Sequence, residues 1–126
     1  MLSHLNSILL EGRLVADPVS KTTARGTLVT SFSIASERYF KSDDKIQSEA
    51  SFFDVDTWSK LAEKCRDTLK KGRGVRVVGR LKQDRWTDPD GRNHSRVKII
   101  AEHVEFKPET GKARLPEMTD NTTGEA

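Results

Sequence analysis

Residues 51–82, SFFDVDTWSKLAEKCRDTLKKGRGVRVVGRLK, change their apolar period twice, and these two changes decide the fold. The stretch 51–58 alternates between two faces, which predicts a strand. Apolar residues then recur at helical spacing, at Leu61, Ala62, Cys65 and Leu69. Gly72 after two lysines is typical of a helix end, and alternation resumes over 74–82. The centre of the chain is therefore predicted to be a strand, a helix and a second strand.

Three further strands flank this centre, at 8–18, 27–36 and 96–106. The first ends at Asp17-Pro18, a strand breaker, and its Gly12 indicates a bend or bulge. The second is rich in β-branched and aromatic residues. The last strand follows 74–82 through an Asp-Pro-Asp-Gly turn.

Five strands with one helix between the third and fourth predict an all-β protein, a five-stranded OB-fold barrel of the kind that commonly binds oligonucleotides. An SH3-like barrel or a split sheet with one helix uses similar elements, and strand count alone does not separate the three. The apolar pattern stops at Lys107. We therefore divide the chain into an OB-fold domain at 1–106 and a flexible tail at 107–126.

The composition indicates one soluble domain with an anionic partner. The 126 residues suffice for a single core, and the net charge is +3 with a pI near 9.1. The tail 107–126 is net acidic by one charge, so the predicted domain carries +4. A single cysteine excludes an internal disulfide and a Cys-based zinc site. Because no export signal or apolar span is visible, we expect a cytoplasmic protein without membrane contact.

One of the two tryptophans, Trp86, lies in a run of cations beside an exposed turn. Arg76, Arg80 and Lys82 share one face of the fourth predicted strand, and Trp86 has the same parity if no bulge intervenes. Cations that follow phosphates and exposed rings that stack on bases are typical of single-strand binding. The alternative is an ordinary solvated face on which Trp86 packs against Lys and Arg stems.

The other aromatic residues divide between core and surface. Phe32 and Phe53 occupy regular strand positions, and we assign both to the core. Phe52 and Trp58 lie on the opposite face from Phe53 and are predicted to be exposed, or to pack under a loop or in a subunit interface. A further aromatic and basic group stands at the open end of the second predicted strand, at Arg38, Tyr39, Phe40 and Lys41.

Several sequence segments also resemble a known protein family. SILLEGRLVADP, FSIASERYFK, FFDVDTWSKLAEKC, LKKGRGVRVVGRLKQDRWTD and DGRNHSRVKIIAEHVEF resemble, in order and spacing, the bacterial-type single-stranded-DNA-binding protein family over about residues 5–106. This resemblance implies an OB-fold that assembles as a homotetramer in the nucleoid. It also implies binding of single-stranded DNA without sequence preference during replication, recombination and repair, with no cofactor and no catalysis.

The resemblance also places the binding residues. The stacking aromatics of the family fall on Phe40, Phe52, Trp58 and Trp86, with Tyr39 as the substitute for Phe40. Its basic contacts fall on Arg38, Lys41, Arg80, Lys82 and Arg85.

Two departures from the family pattern bear on binding. Asp54 and Asp84 stand where relatives often carry a basic or neutral residue, and negative charge there weakens phosphate binding unless it is paired. The family tail usually ends in an acidic tip closed by Pro-Phe that recruits repair and replication proteins, whereas this chain ends in MTDNTTGEA. We therefore do not expect recruitment through such a tip.

An enzyme is the alternative from another class. Asp54 and Asp56 could form a metal pair, and Cys65 could be a nucleophile. Histidines are available as bases or ligands at His4, His94 and His103. Their spacing matches no metal or phosphate-loop motif, and Cys65 lies on the apolar side of the predicted helix. We predict no catalysis, no cofactor and no metal.

Two binding alternatives remain open at this point. The first is an accessory OB-fold adaptor of replication restart, with weak DNA binding and a dedicated protein partner. The second is an RNA chaperone, because a stacking groove with few base-edge contacts does not reject ribose.

Overall fold

The computed structural model describes residues 2–108, which form six strands and one helix. The elements are β1 Ile8–Leu14, β2 Val19–Thr22, β3 Leu28–Ser42, β4 Lys45–Trp58, α1 Ser59–Thr68, β5 Gly74–Thr87 and β6 Asn93–Phe106. The helix among these residues is too short and too polar to cross a membrane. Most of the predicted tail, residues 109–126, lies outside the described residues.

The strands close into the predicted OB-fold barrel. Their order is β1-β5-β6-β4-β3-β2, and an additional pairing of β1 with β3 closes a ring of five strands. β4 and β6 are parallel, and the other pairs are antiparallel. α1 follows β4, the third of the five ring strands in chain order, and precedes β5, the fourth, so the predicted place of the helix is confirmed.

The sheet differs from the sequence prediction in several strands. β1 ends at Leu14 and not at 18, β5 continues to Thr87 and β6 begins at Asn93. The short β2 pairs only with β3, and its four residues carry too little pattern to be recognised. β3 and β4 are also longer than predicted, because their pairing continues from Glu37↔Ala50 to Ser42↔Lys45. Asp43 and Asp44 form the turn, with φ of 52° and 63°, the left-handed conformation that two-residue hairpin turns require.

Close approaches at two glycines allow the barrel to close. A Cβ on Gly12 would lie 2.5 Å from the carbonyl oxygen of Ala35, at the point where β1 passes from β5 to β3. A Cβ on Gly79 would lie 2.2 Å from the carbonyl oxygen of Ile100, beside a register shift between β5 and β6. The backbones can approach this closely only because neither residue has a side chain.

The core fills the barrel and is covered at one end by α1. The helix buries Ala62 and Cys65, and the Thr30 hydroxyl donates a 2.8 Å hydrogen bond to the Ala62 carbonyl. Phe32 is buried as predicted, but the assignment of Phe53 to the core is wrong, because this ring is 37% exposed. Extending the parallel register of β4 and β6 by two residues places Phe53 beside the exposed Val97, so the barrel is uncovered at this end.

Candidate nucleic-acid interface

Three aromatic rings lie on one continuous surface of the barrel. On β4, Phe52 and Trp58 point away from the core, opposite the buried Val55. On β5, Trp86 points away from the core by the same alternation. Since β6 pairs with both β4 and β5, their outward sides form a single surface, which we call the outer face. The outer face comprises Phe52, Asp54, Asp56, Trp58, Arg80, Lys82, Asp84, Trp86, His94, Arg96 and Lys98.

The rings of the outer face are open to solvent. Phe52 is 66% exposed, Trp58 43% and Trp86 48%. Aromatic rings normally contribute their area to a core or an interface, so three exposed rings on one sheet surface mark a binding site. The predicted exposure of Phe52, Trp58 and Trp86 is confirmed. The register shift near Gly79 does not interrupt the alternation of β5, so Trp86 shares the side of Arg80 and Lys82.

Trp86 offers one open face, because His94 covers the other. The two ring centroids are 5.4 Å apart and the planes are inclined by 17°. His94 Nε2 lies 2.8 Å from Asp88 Oδ2, and Asp88 Oδ1 accepts the backbone N–H groups of Asp90 and Arg92 in the turn. The contact with His94, followed by the backbone N–H groups, lowers the pKa of Asp88. Sequence reasoning missed this role of His94, although counting residues back from the turn pairs it with Trp86.

Acidic side chains between the rings are paired with cations. Lys98 Nζ lies 2.7 Å from Asp56 and 2.9 Å from Asp84, and Lys82 Nζ also contacts Asp84. Arg96 Nε lies 3.6 Å from Asp54. Both departures from the family pattern, Asp54 and Asp84, are therefore paired in the structure.

Hydrogen bonds among these side chains shift the pKa values of Asp84 and Lys98. Those from Lys82 and then Lys98 lower the pKa of Asp84 to about 2. Burial alone would lower the pKa of Lys98, but its hydrogen bonds to Asp56 and Asp84 outweigh burial and raise it. The carboxylate of Asp84 and the ammonium of Lys98 are therefore both charged at neutral pH.

Arg80 and Arg85, two of the predicted basic contacts, lie on opposite sides of β5. Arg80 lies on the outer face, with its Nε 3.9 Å from Glu102. Arg85 has the opposite parity from Trp86 and donates to the side chain of Gln83. The structure therefore does not bring Arg85 together with the rings.

The β3–β4 hairpin separates the two candidates for the fourth ring. Tyr39 and Lys41 share the side of Phe52, because Phe52 pairs with Ala35 and the residues alternate without a break. Arg38 and Phe40 lie on the other side, where the Arg38 guanidinium is 4.7 Å from the Phe40 ring centroid. The geometry thus favours Tyr39, the substitute, over Phe40. The sequence prediction ended this strand at residue 36 and had no parity to decide between them.

The candidates for catalysis have other environments. Burial raises the pKa of the Cys65 thiol to about 11, so it is not a thiolate at neutral pH. Asp54 and Asp56 each accept a serine hydroxyl, from Ser33 and Ser31. Within residues 2–108, no three His, Cys, Asp or Glu side chains are arranged to hold a metal ion.

Comparisons with known proteins agree with this geometry. A family model described as the Single-strand binding protein family matches residues 5–107. The chain is 38% identical over 107 residues to the single-stranded DNA-binding protein 2 of Chlorobaculum tepidum, covering 83% of this chain and 72% of that protein. It is 41% identical over 101 residues to the single-stranded DNA-binding protein of Aquifex aeolicus, covering 79% and 68% of the two. A solved Plasmodium falciparum SSB complex with ssDNA has the same fold, with a TM-score of 0.78 at 23% identity over 86% of this chain and 99% of the other.

Proposed function

This chain belongs to the single-strand binding protein family, and we propose that it binds single-stranded DNA without sequence preference, in replication, recombination and repair. The observation that carries the proposal is the outer face, where Phe52, Trp58 and Trp86 are exposed among lysines and arginines. Bases in a duplex are already stacked on each other, whereas those of a single strand are free to stack on protein rings.

In this proposal the rings bind bases and the cations bind phosphates. Every base has a flat face, so stacking contributes ~1–3 kcal/mol per base with little dependence on sequence. Of the sequence-derived positions, we propose as contacts those that share the side of the rings, which are Lys41, Phe52, Trp58, Arg80, Lys82 and Trp86. Arg38, Phe40 and Arg85 were also derived from the sequence, but they lie on the opposite side of their strands. We propose that Tyr39, and not Phe40, is the stacking ring of the hairpin, since Tyr39 shares the side of Phe52.

The spacing of the rings requires a strand several nucleotides long. β6 separates β4 from β5, so these two strands are ~10 Å apart. Trp58 and Trp86 are also displaced along the strands, because Asp56 is level with Ile100 whereas Trp86 pairs with His94. Phe52 and Trp58 are six residues apart on one strand, or ~20 Å.

We also propose the finer features that the family resemblance implies. The assembly is a homotetramer, which the exposed Leu9 and the edge of β1 support, because within the described chain Ile8–Gly12 pair only with β5. The protein acts by binding in the cytoplasm, without catalysis or a cofactor. Residues 1–106 form the binding domain, and 107–126 form the tail.

The proposal is tested by titrating the full chain with oligo-dT, the matching duplex and oligo-U while following tryptophan fluorescence at two salt concentrations. We expect strong quenching by oligo-dT, weaker at high salt because bound phosphates release counterions. Quenching by oligo-U as strong as by oligo-dT would indicate an RNA chaperone instead. No quenching by any of the three would contradict the proposal and favour the adaptor.

A further inference from the structure

Six charged residues cross the middle of the outer face in alternating order. They run as Lys82, Asp84, Lys98 and Asp56, with the pair Arg96 and Asp54 beside them. We call these six residues the charge ladder. It holds three cations and three carboxylates, so its net charge is zero, although the domain around it is basic.

The ladder lies between the rings. Lys98 and Arg96 are on β6, the strand that separates Trp86 on β5 from Phe52 and Trp58 on β4. A nucleic-acid strand that contacts rings on both sides therefore crosses the ladder. Its phosphates meet ammonium and guanidinium groups that already have carboxylate partners.

The carboxylates on β4 are the fixed members of their pairs. Ser33 donates to Asp54 Oδ1 at 2.6 Å and Ser31 donates to Asp56 Oδ1 at 2.7 Å, while the second oxygen of each carboxylate faces a cation. The lysine and arginine partners end long flexible stems. When a pair opens, the cation moves and the carboxylate stays.

We propose that Arg96 and Lys98 are phosphate-binding residues, in addition to Lys82, and that Asp54, Asp56 and Asp84 compete with phosphate for these three cations and so lower the affinity for single strands. Carboxylate and phosphate oxygens accept the same charge-assisted hydrogen bonds, and only one of them can occupy a given donor in a given geometry. The inference rests on the proposed function.

The contacts also order the cations. The Arg96 side chain is 57% exposed and its contact with Asp54 is the longest of the ladder at 3.6 Å, so it exchanges its partner first. The Lys98 side chain is 16% exposed and contacts two carboxylates, so it exchanges last. Asp84 holds two ammonium groups, those of Lys82 and Lys98, and its removal is expected to have the largest effect.

The test compares Asp84→Asn with wild type in the full chain. The Kd for oligo-dT is measured by anisotropy of a labelled oligonucleotide over a series of salt concentrations. Asp67→Asn is the control for the loss of one negative charge, because Asp67 is a carboxylate paired with Arg66 on α1, away from the outer face. Urea unfolding confirms that each variant is folded, and Asp54→Asn replaces Asp84→Asn if the latter is not.

We expect Asp84→Asn to lower the Kd several-fold relative to Asp67→Asn at low salt. The slope of log K against log salt should steepen by ~0.7 for each further phosphate that is neutralised. An unchanged Kd and slope, or weaker binding, would overturn the inference while leaving the proposed function intact, provided that wild type binds. Binding by Asp84→Asn but not by wild type would support it strongly. If no variant binds oligo-dT, both the inference and the proposed function fail.

Discussion

Replacing Trp86 with alanine is expected to raise the Kd for oligo-dT by roughly 5- to 150-fold, which corresponds to the ~1–3 kcal/mol of one stacked base. One base is the right count because the ring has one available face. His94 lies 5.4 Å away and nearly parallel on the other side, so a base cannot stack there.

The effect on folding should be smaller than the effect on binding. The ring is 48% exposed at the end of a hairpin, and its described stacking contact is with His94. An aromatic pair of this kind contributes ~0.5–1.5 kcal/mol. The free energy of unfolding, measured in urea, should therefore fall by about 1 kcal/mol.

His94→Ala is the control that separates stacking on DNA from packing of the hairpin. This variant loses the same ring contact and also the contact of His94 with Asp88, but it keeps Trp86. Its stability should therefore fall at least as much, while its Kd, measured by anisotropy with labelled oligo-dT, changes less than that of Trp86→Ala. Equal loss of affinity in the two variants would refute the reasoning, because Trp86 would then act only by holding the hairpin together. A normal Kd for Trp86→Ala would refute it more directly.

Three further predictions follow from the geometry. Tyr39→Ala should raise the Kd for oligo-dT more than Phe40→Ala, because of the two rings only Tyr39 shares the side of Phe52. The reverse order in the anisotropy titration would show that the DNA contacts the other side of the hairpin. Ser59→Gly should raise the free energy of unfolding by up to ~1 kcal/mol, since Ser59 has φ of 59°, where glycine is not strained; a lower melting temperature would contradict this. The hydrogen bond from Lys82 is the chief cause that lowers the pKa of Asp84 to about 2. Ionised Asp84 therefore stabilises the fold above its unfolded pKa of ~3.9, and this contribution is lost as pH falls toward 2. The melting temperature of Asp84→Asn should depend less on acid pH than that of wild type, and identical pH profiles would refute the assignment.

The sequence determined the barrel because its centre is locally regular. The change from alternating to helical spacing and back over 51–82 is a short-range signal, and the structure places β4, α1 and β5 there. The side of Trp86 was predictable for the same reason, since β5 alternates from Val75 to Trp86 and the register shift falls on its partner strand. Local patterns of this kind need no knowledge of the neighbouring strands.

What the sequence did not predict depends on contacts between distant residues. The extension of β3 and β4 past residue 36 is largely exposed on both sides, and its few apolar residues do not alternate, so no strand pattern marks it. The choice between Tyr39 and Phe40 followed from that extension. The exposure of Phe53 depends on the open end of the barrel, not on its own strand. The pairing of Asp54 with Arg96 needs the parallel contact of β4 with β6, strands more than thirty residues apart in the chain.

The charge ladder also explains how three exposed rings can lie on one surface without forming a continuous apolar patch. Exposed rings that form one continuous apolar surface can associate with a second such surface. Here the polar row of Arg96, Lys98 and their aspartates separates Trp86 from the rings of β4, so no continuous apolar patch joins them. The carboxylates of this row balance the charge of the cations until a phosphate displaces a carboxylate. In the proposed function, the residues that keep the free surface polar are therefore the residues that set the strength of binding, and neutralising Asp84 should change both properties together.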